Sequence, residues 1–200
     1  MASYARTFQR RVETVFEEFK RSRKIWDELN AEGFTTGSRL INAVIERQYA
    51  DDMGYWHPVL RQSFPQLIPT YEEKMTSIIQ QEQDKLNGTL DRLTKQYTKM
   101  TTFLKELMAI DKRMQDLLQD PGRALFKTCP VQFYVKQVSQ IVTMYEQELA
   151  SKRRIVEGMV DIDSQQQGMA VMSMWLNQSH LQIDTIRQFE EICDVEIAAP

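Results

Sequence analysis

The stretch Thr70–Gln119, TYEEKMTSIIQQEQDKLNGTLDRLTKQYTKMTTFLKELMAIDKRMQDLLQ, decides the fold class. Ile79, Leu86, Leu93, Met100, Leu107 and Met114 recur at every seventh residue, and Leu90, Tyr97, Leu104 and Leu118 interleave with them. A seven-residue repeat keeps apolar side chains on one stripe only if the helix winds against another, so the spacing predicts a supercoiled seam. Polar Gln83 and Asp111 fall on that seam, where they would fix register at some cost in stability. At 1.5 Å per residue such a helix reaches roughly 70 Å, too far to be stable without a neighbour.

Following the chain onward, Asp120, Pro121 and Gly122 break this helix, and Pro130 opens the next with Thr128 or Cys129 near its cap. Val131, Val135, Val138, Val142, Tyr145, Leu149, Val156 and Met159 then restart the alternation of four and three. Lys152 falls on this second seam, where it can bury its stem. The short connection makes an antiparallel hairpin over 70–163 the economical arrangement.

On the N-terminal side, residues 1–49 read as a first helix from Tyr4 to Asn30, a stop at Gly33, and a short second helix capped by Thr35 or Thr36. Residues 50–69 contain Gly54, Pro58, Pro65 and Pro69 and read as a linker. Tyr55, Trp56, Leu60 and Phe64 make it too apolar for a solvated tether, so it should fold back on a helix or dock on a partner. Residues 164–200 contain a polar SQQQG break and the apolar segment MAVMSMWLNQSHL. An acidic closing helix capped by Asp184 follows, with a tail that frays toward Pro200. The expected fold is therefore all-α, an elongated antiparallel helical hairpin or coiled coil with flanking short helices.

Composition narrows the function. The 200 residues carry a net charge of −3, so no global attraction to nucleic acid or anionic lipid exists, and no run is apolar enough to cross a bilayer. Cys129 and Cys193 lack metal-ligand spacing and read as free thiols of a reducing compartment. His57 and His180 are isolated, and no phosphate loop, HExxH or nucleophile elbow is present. No catalytic, cofactor or metal residue is assigned, and a non-enzyme is expected. Lys20, Arg21, Arg23 and Lys24 are interleaved with acids along the first helix and read as a solvated, charge-paired face rather than a phosphate site. The seams are compatible with self-association, a heteromeric partner or an intramolecular hairpin, and their mixture of Val, Tyr, Met and polar residues favours a heteromer. Candidate docking residues are Trp26, Phe34, Met172, Met174 and Trp175, because tryptophan anchors interfaces and methionine adapts to irregular pockets. For the methionine-rich segment the alternative is a cap on the helical core. The competing class is a membrane-surface or cytoskeletal tether built on long helices and the basic first helix.

Three stretches, WDELNAEGFTT at Trp26–Thr36, CPVQFYVKQVSQIVTMYEQELASKR at Cys129–Arg153 and MSMWLNQ at Met172–Gln178, resemble in order and spacing the cyclin-dependent kinase 2-interacting protein family. The resemblance implies a nuclear, non-enzymatic adaptor, with the cytoplasm as a second location. Implied partners are cyclin-dependent kinase 2, a second origin-firing kinase and the ATR-interacting protein of checkpoint signalling. It further implies a complex with two spermatogenesis-associated AAA ATPases and a small helical co-subunit, acting in replisome protein turnover and large ribosomal subunit maturation. No small-molecule substrate, nucleic acid or membrane is implied. The basic, proline-containing leader of family members is not found ahead of the first helix, and the aromatic linker Tyr55–Ile68 differs from the family's more polar connection.

Overall fold

A computed structural model describes residues 2–118 and 124–197. The break expected at 120–122, the side chain of Leu118 and the fraying expected at 198–200 lie outside the described residues. The helices are α1 (Ala2–Arg47), α2 (Pro58–Ser63), α3 (Leu67–Leu118), α4 (Val131–Gly158), α5 (Gln165–Asn177) and α6 (Ile183–Ile197). Among the described residues there is no strand, only an isolated bridge between Ala124 and Pro130, and the fold is all-α. No helix among them is long and apolar enough to cross a membrane.

Two compact units form, and neither follows the sequential division at residues 50, 70 and 164. Unit 1 gathers Met1–Asp27, Leu93–Leu149 and Ser179–Pro200, and unit 2 gathers Glu28–Arg92 and Ala150–Gln178. Within unit 2, α1 runs antiparallel to α3, since Arg92 is bonded to Glu32 at 2.7 Å while the Tyr71 hydroxyl donates to the Glu46 carbonyl at 2.8 Å. Within unit 1, α1 runs parallel to α4, with Phe16 against Tyr134 and Trp26 against Tyr145. The first helix is thus a full bundle member in each unit, not a flank to a two-helix hairpin.

The repeat that predicted the seam is half right. Ile79, Leu86, Leu93, Met100, Leu107 and Met114 are all buried. The companion series is the one three residues on, Glu82, Thr89, Gln96 and Ile110, whereas Tyr97 and Leu104 stay half-buried and only Leu90 of the expected set is buried. Apolar character pointed to the wrong neighbour because Thr89 and one oxygen of Glu82 find partners within their own turn, while Glu82 Oε2 and Gln96 Oε1 are buried without a hydrogen bond. Lys85 pairs with Glu82 at 2.6 Å, and the Thr89 hydroxyl donates to the Lys85 carbonyl at 3.2 Å. Asp111 does not fix register but bonds Gln115 at 2.8 Å on an exposed face. On α4, Val138, Val142, Tyr145 and Leu149 are buried as expected, and Tyr134 replaces the half-buried Val135.

Gly33 does not stop the first helix. α1 continues unbroken through it to Arg47, and Thr35 and Thr36, expected as caps, bond back to the carbonyls of Ala31 and Glu32 at 3.2 and 3.1 Å. The glycine is a seat: a Cβ there would lie 3.0 Å from Cε2 of the Trp175 indole and nearer still to Cζ2. Glycine costs a helix about 1 kcal/mol relative to alanine. Truncating a buried tryptophan costs about 3–5 kcal/mol, so the packing it permits outweighs the propensity it forfeits. The same device recurs at Gly37, against Met172 and Met159, and at Gly168, against Ile41. Together these approaches lay α5 antiparallel along the second half of α1 inside unit 2. The SQQQG stretch is accordingly the first turn of α5, capped by Ser164, rather than a break. Likewise Pro69 sits inside the first turn of α3, where its missing N–H is no loss.

Two glycine substitutions separate these effects. G33A should destabilise the protein by about 1–3 kcal/mol, because the methyl displaces the indole. G88A, on α3 with nothing within 4 Å of its added Cβ, should stabilise it by about 0.5–1 kcal/mol. Thermal denaturation of both would show opposite signs, and a stabilising G33A would remove the seat.

Candidate functional site

Lys152 on α4 is wholly buried, head as well as stem, contrary to the expectation of a buried stem alone. Its ammonium donates to Asn30 Oδ1 at 2.6 Å and to the Trp175 carbonyl at 2.9 Å, and lies 4.3 Å from the centroid of the Trp175 ring. The indole N–H in turn donates to the Asn30 carbonyl at 2.9 Å. α1, α4 and α5 therefore meet in unit 2 at one cation, one amide and one indole seated on Gly33. The site is polar and buried, so each partner is fixed by the others.

This geometry reassigns the docking candidates. Trp26 and Trp175 are fully buried and present no surface to a partner, and Met172 is buried against Gly37. Phe34 is half-buried and Met174 is exposed. Phe34 and Met172 line a shallow groove of about 350 Å³ between α1 and α5, with Ile41, Met169 and Leu176 around them. Its walls are uncharged, and Ser38, Asn42, Gln165 and Ser173 add polar groups to the apolar ones. Sequence reasoning placed the tryptophans at an interface because their burial inside a helical unit leaves no periodic signature distinct from exposure at a partner-binding face.

Unit 1 consumes part of the basic cluster. Lys20 pairs with Asp194, and Arg23 pairs with Glu190 and donates to the Tyr145 hydroxyl at 3.1 Å. With its side chain only 12% exposed, Arg23 belongs to the packing and not to a solvated face. Burial pushes the Tyr145 hydroxyl up to about 12 even though Arg23 opposes it. Cys193 is a buried free thiol, raised by that burial to about 12 and so inert, while Cys129 is free and half-buried.

Glu196, in the last turn of α6, is buried and holds the entry to α4. Its carboxylate accepts the N–H groups of Lys127, Thr128 and Cys129 at 3.0–3.2 Å, the Thr128 hydroxyl, and the Tyr134 hydroxyl at 3.4 Å. Thr128 and Cys129, expected near the cap of α4, give their N–H groups to a carboxylate brought from α6. Burial alone would raise the Glu196 carboxyl, but the bonds from Thr128, Cys129 and Lys127 hold it down at about 2. His180 N–H donates to Glu148 at 3.3 Å at the other end of α6, so α6 runs antiparallel to α4.

Each of the three stretches that carry the family resemblance supplies one member of the unit 2 site: Asn30, Lys152 and Trp175. Comparison of the whole chain agrees. It is 24% identical over 171 residues to the cyclin-dependent kinase 2-interacting protein of Homo sapiens, covering 84% of this chain and 79% of that one. To the proteins of the same name from Bos taurus and Xenopus laevis it is 25% and 26% identical over 162 residues, 78% of this chain and 74% and 73% of theirs. Over most of its length the chain is similar to cyclin-dependent kinase 2-interacting proteins. No family model matches it. The three resembling stretches thus meet at a packing node, and the last of them also leaves Met174 and Leu176 exposed.

Two measurements probe these polar sites. K152M should lose about 1–3 kcal/mol, because Asn30 Oδ1 and the Trp175 carbonyl are left unpaired in the interior. Adding N30L should recover part of that loss, and urea denaturation of the single and double variants reads the coupling. For Glu196, a carboxyl held lower in the folded than in the unfolded state stabilises the fold fully above its ordinary value of 4.5, and that contribution disappears as pH falls through about 2. Helicity followed by circular dichroism across that window should fall less steeply in E196Q, from a lower stability at neutral pH.

Proposed function

We propose that the chain is a non-enzymatic helical adaptor that binds cyclin-dependent kinase 2. The observation that carries this reading is the match to relatives bearing that name across 84% of this chain and 79% of the human protein. Support also comes from large apolar side chains left exposed on unit 2, Met169 and Met174 among them, since contiguous exposed apolar surface marks protein contacts.

On the same reading the protein acts in the nucleus, with a second origin-firing kinase and the ATR-interacting protein in checkpoint signalling. It serves as a subunit of a complex of two spermatogenesis-associated AAA ATPases and a small helical partner, in replisome protein turnover and large ribosomal subunit maturation. These finer associations rest on the family resemblance alone. The alternative, a membrane-surface or cytoskeletal tether, is weakened because Lys20 and Arg23 already pair with Asp194 and Glu190.

Affinity purification of the tagged chain from nuclear extract should recover cyclin-dependent kinase 2 and the AAA ATPases. Recovery of neither would overturn the adaptor reading. Salt-sensitive sedimentation with anionic vesicles, lost on neutralising Arg21 and Lys24, would favour the tether instead.

A further inference from the structure

In residues 49–64 six large apolar side chains, Tyr49, Met53, Tyr55, Val59, Leu60 and Phe64, are each between 38% and 60% exposed. Such exposure would be ordinary in a loose linker, but this segment is well tied. Tyr49 and Tyr55 stack at 4.6 Å, Tyr55 meets Trp56 edge-on, and Trp56 meets Tyr71 of α3 edge-on at 5.2 Å. The Trp56 indole N–H donates to the Tyr49 carbonyl at 2.6 Å. Asp52 accepts the Gly54 N–H at 2.9 Å, and His57 Nδ1 accepts the Val59 N–H at the start of α2. These bonds hold the backbone and leave apolar faces outward. A surface ordered in advance loses little further freedom on binding.

Charge selects the occupant. Asp51 and Asp52 are exposed within the segment, Glu46 precedes it, and Glu72 and Glu73 follow Tyr71; against these carboxylates stand Arg47, Arg61 and Lys74. An anionic lipid surface would meet charge of its own sign. A second copy placed face to face would bring a second set of the same carboxylates to the patch. A peptide carrying arginine or lysine among apolar residues meets carboxylates with its cations, the tyrosine rings with cation–π contact, and the rest with its apolar side chains.

We propose that residues 49–64 of unit 2 form a docking surface for a basic, apolar-rich segment of a partner protein. The surface deepens the adaptor reading by giving it a ligand chemistry, and its test is independent of whether a kinase is recovered from extract. Fluorescence anisotropy with the full chain would use a labelled probe peptide rich in leucine and phenylalanine and bearing arginines, beside a probe with glutamine at the arginine positions. The arginine probe should bind, with affinity falling as salt rises. V59S and F64S, at side chains already 59% exposed and so harmless to helicity by circular dichroism, should each weaken it by about tenfold or more. D51N and D52N should weaken it and flatten its salt dependence, with Asn retaining the turn to Gly54. Equal binding of the glutamine probe, unchanged binding by these variants, or no binding of the arginine probe would overturn the proposal. Self-association by light scattering that F64S abolishes, or sedimentation with phosphatidylserine vesicles that F64S abolishes, would also overturn it by assigning the surface to a second copy or to a membrane.

Discussion

Unit 2 depends on a buried ammonium. Lys152 is drawn into the interior of a helical unit by Asn30 on α1 and by the carbonyl and ring of Trp175 on α5. Taking a lysine out of water is among the most costly steps in folding, and it is tolerated only where donors and acceptors are matched. That requirement constrains its neighbours. The indole must lie over the ammonium, so it must approach the α1 backbone, and the residue beneath it must be Gly33. A packing arrangement built only from leucines would accept several registers between α1 and α5. One cation with directional partners accepts one.

Unit 1 uses charge differently. Its short acidic helix α6 buries few apolar side chains beyond Ile186, Phe189 and Cys193. Arg23 and Lys20 hold it from the side of α1, and Glu196 holds it from the entry to α4. The Glu196 bonds stand out because the acceptor is ionised and its donors are backbone N–H groups fixed in direction by the chain entering α4, which makes them stronger than neutral pairs. A helix of this length and composition would be marginal alone, and tertiary contacts of this kind are what stabilise it.

The stretches that resemble the relatives contribute both to the interior and to the surface. The three resembling stretches meet at the buried Asn30–Lys152–Trp175 site, and they also expose Met174 and Leu176. Binding has to use what the units leave outside: the groove walled by Phe34, Met169 and Leu176, and the aromatic segment before α3. A scaffold can keep its interior node while its surfaces are changed for different partners, since fold and function are carried by separate sets of side chains.

The heptad through Ile79, Leu86, Leu93 and Met100 determined the all-α class and the central long helix, because a strict seven-residue repeat has no other stable use. Local composition likewise placed the returning helix and the closing acidic one. What only tertiary structure decided were the choices that depend on residues far apart in the chain. Gly33 has the chemistry of a helix stop and serves as a seat, because Trp175 lies above it. Thr35 and Thr36 have the chemistry of caps and bond back within a continuing helix. Glu82, Thr89 and Gln96 look like surface residues and are buried, and Trp26 looks like an interface anchor and is core. Periodicity reports which side chains share a face, and that is a local property of the backbone. Which face is covered, and by what, depends on contacts between stretches of chain that no local pattern encodes.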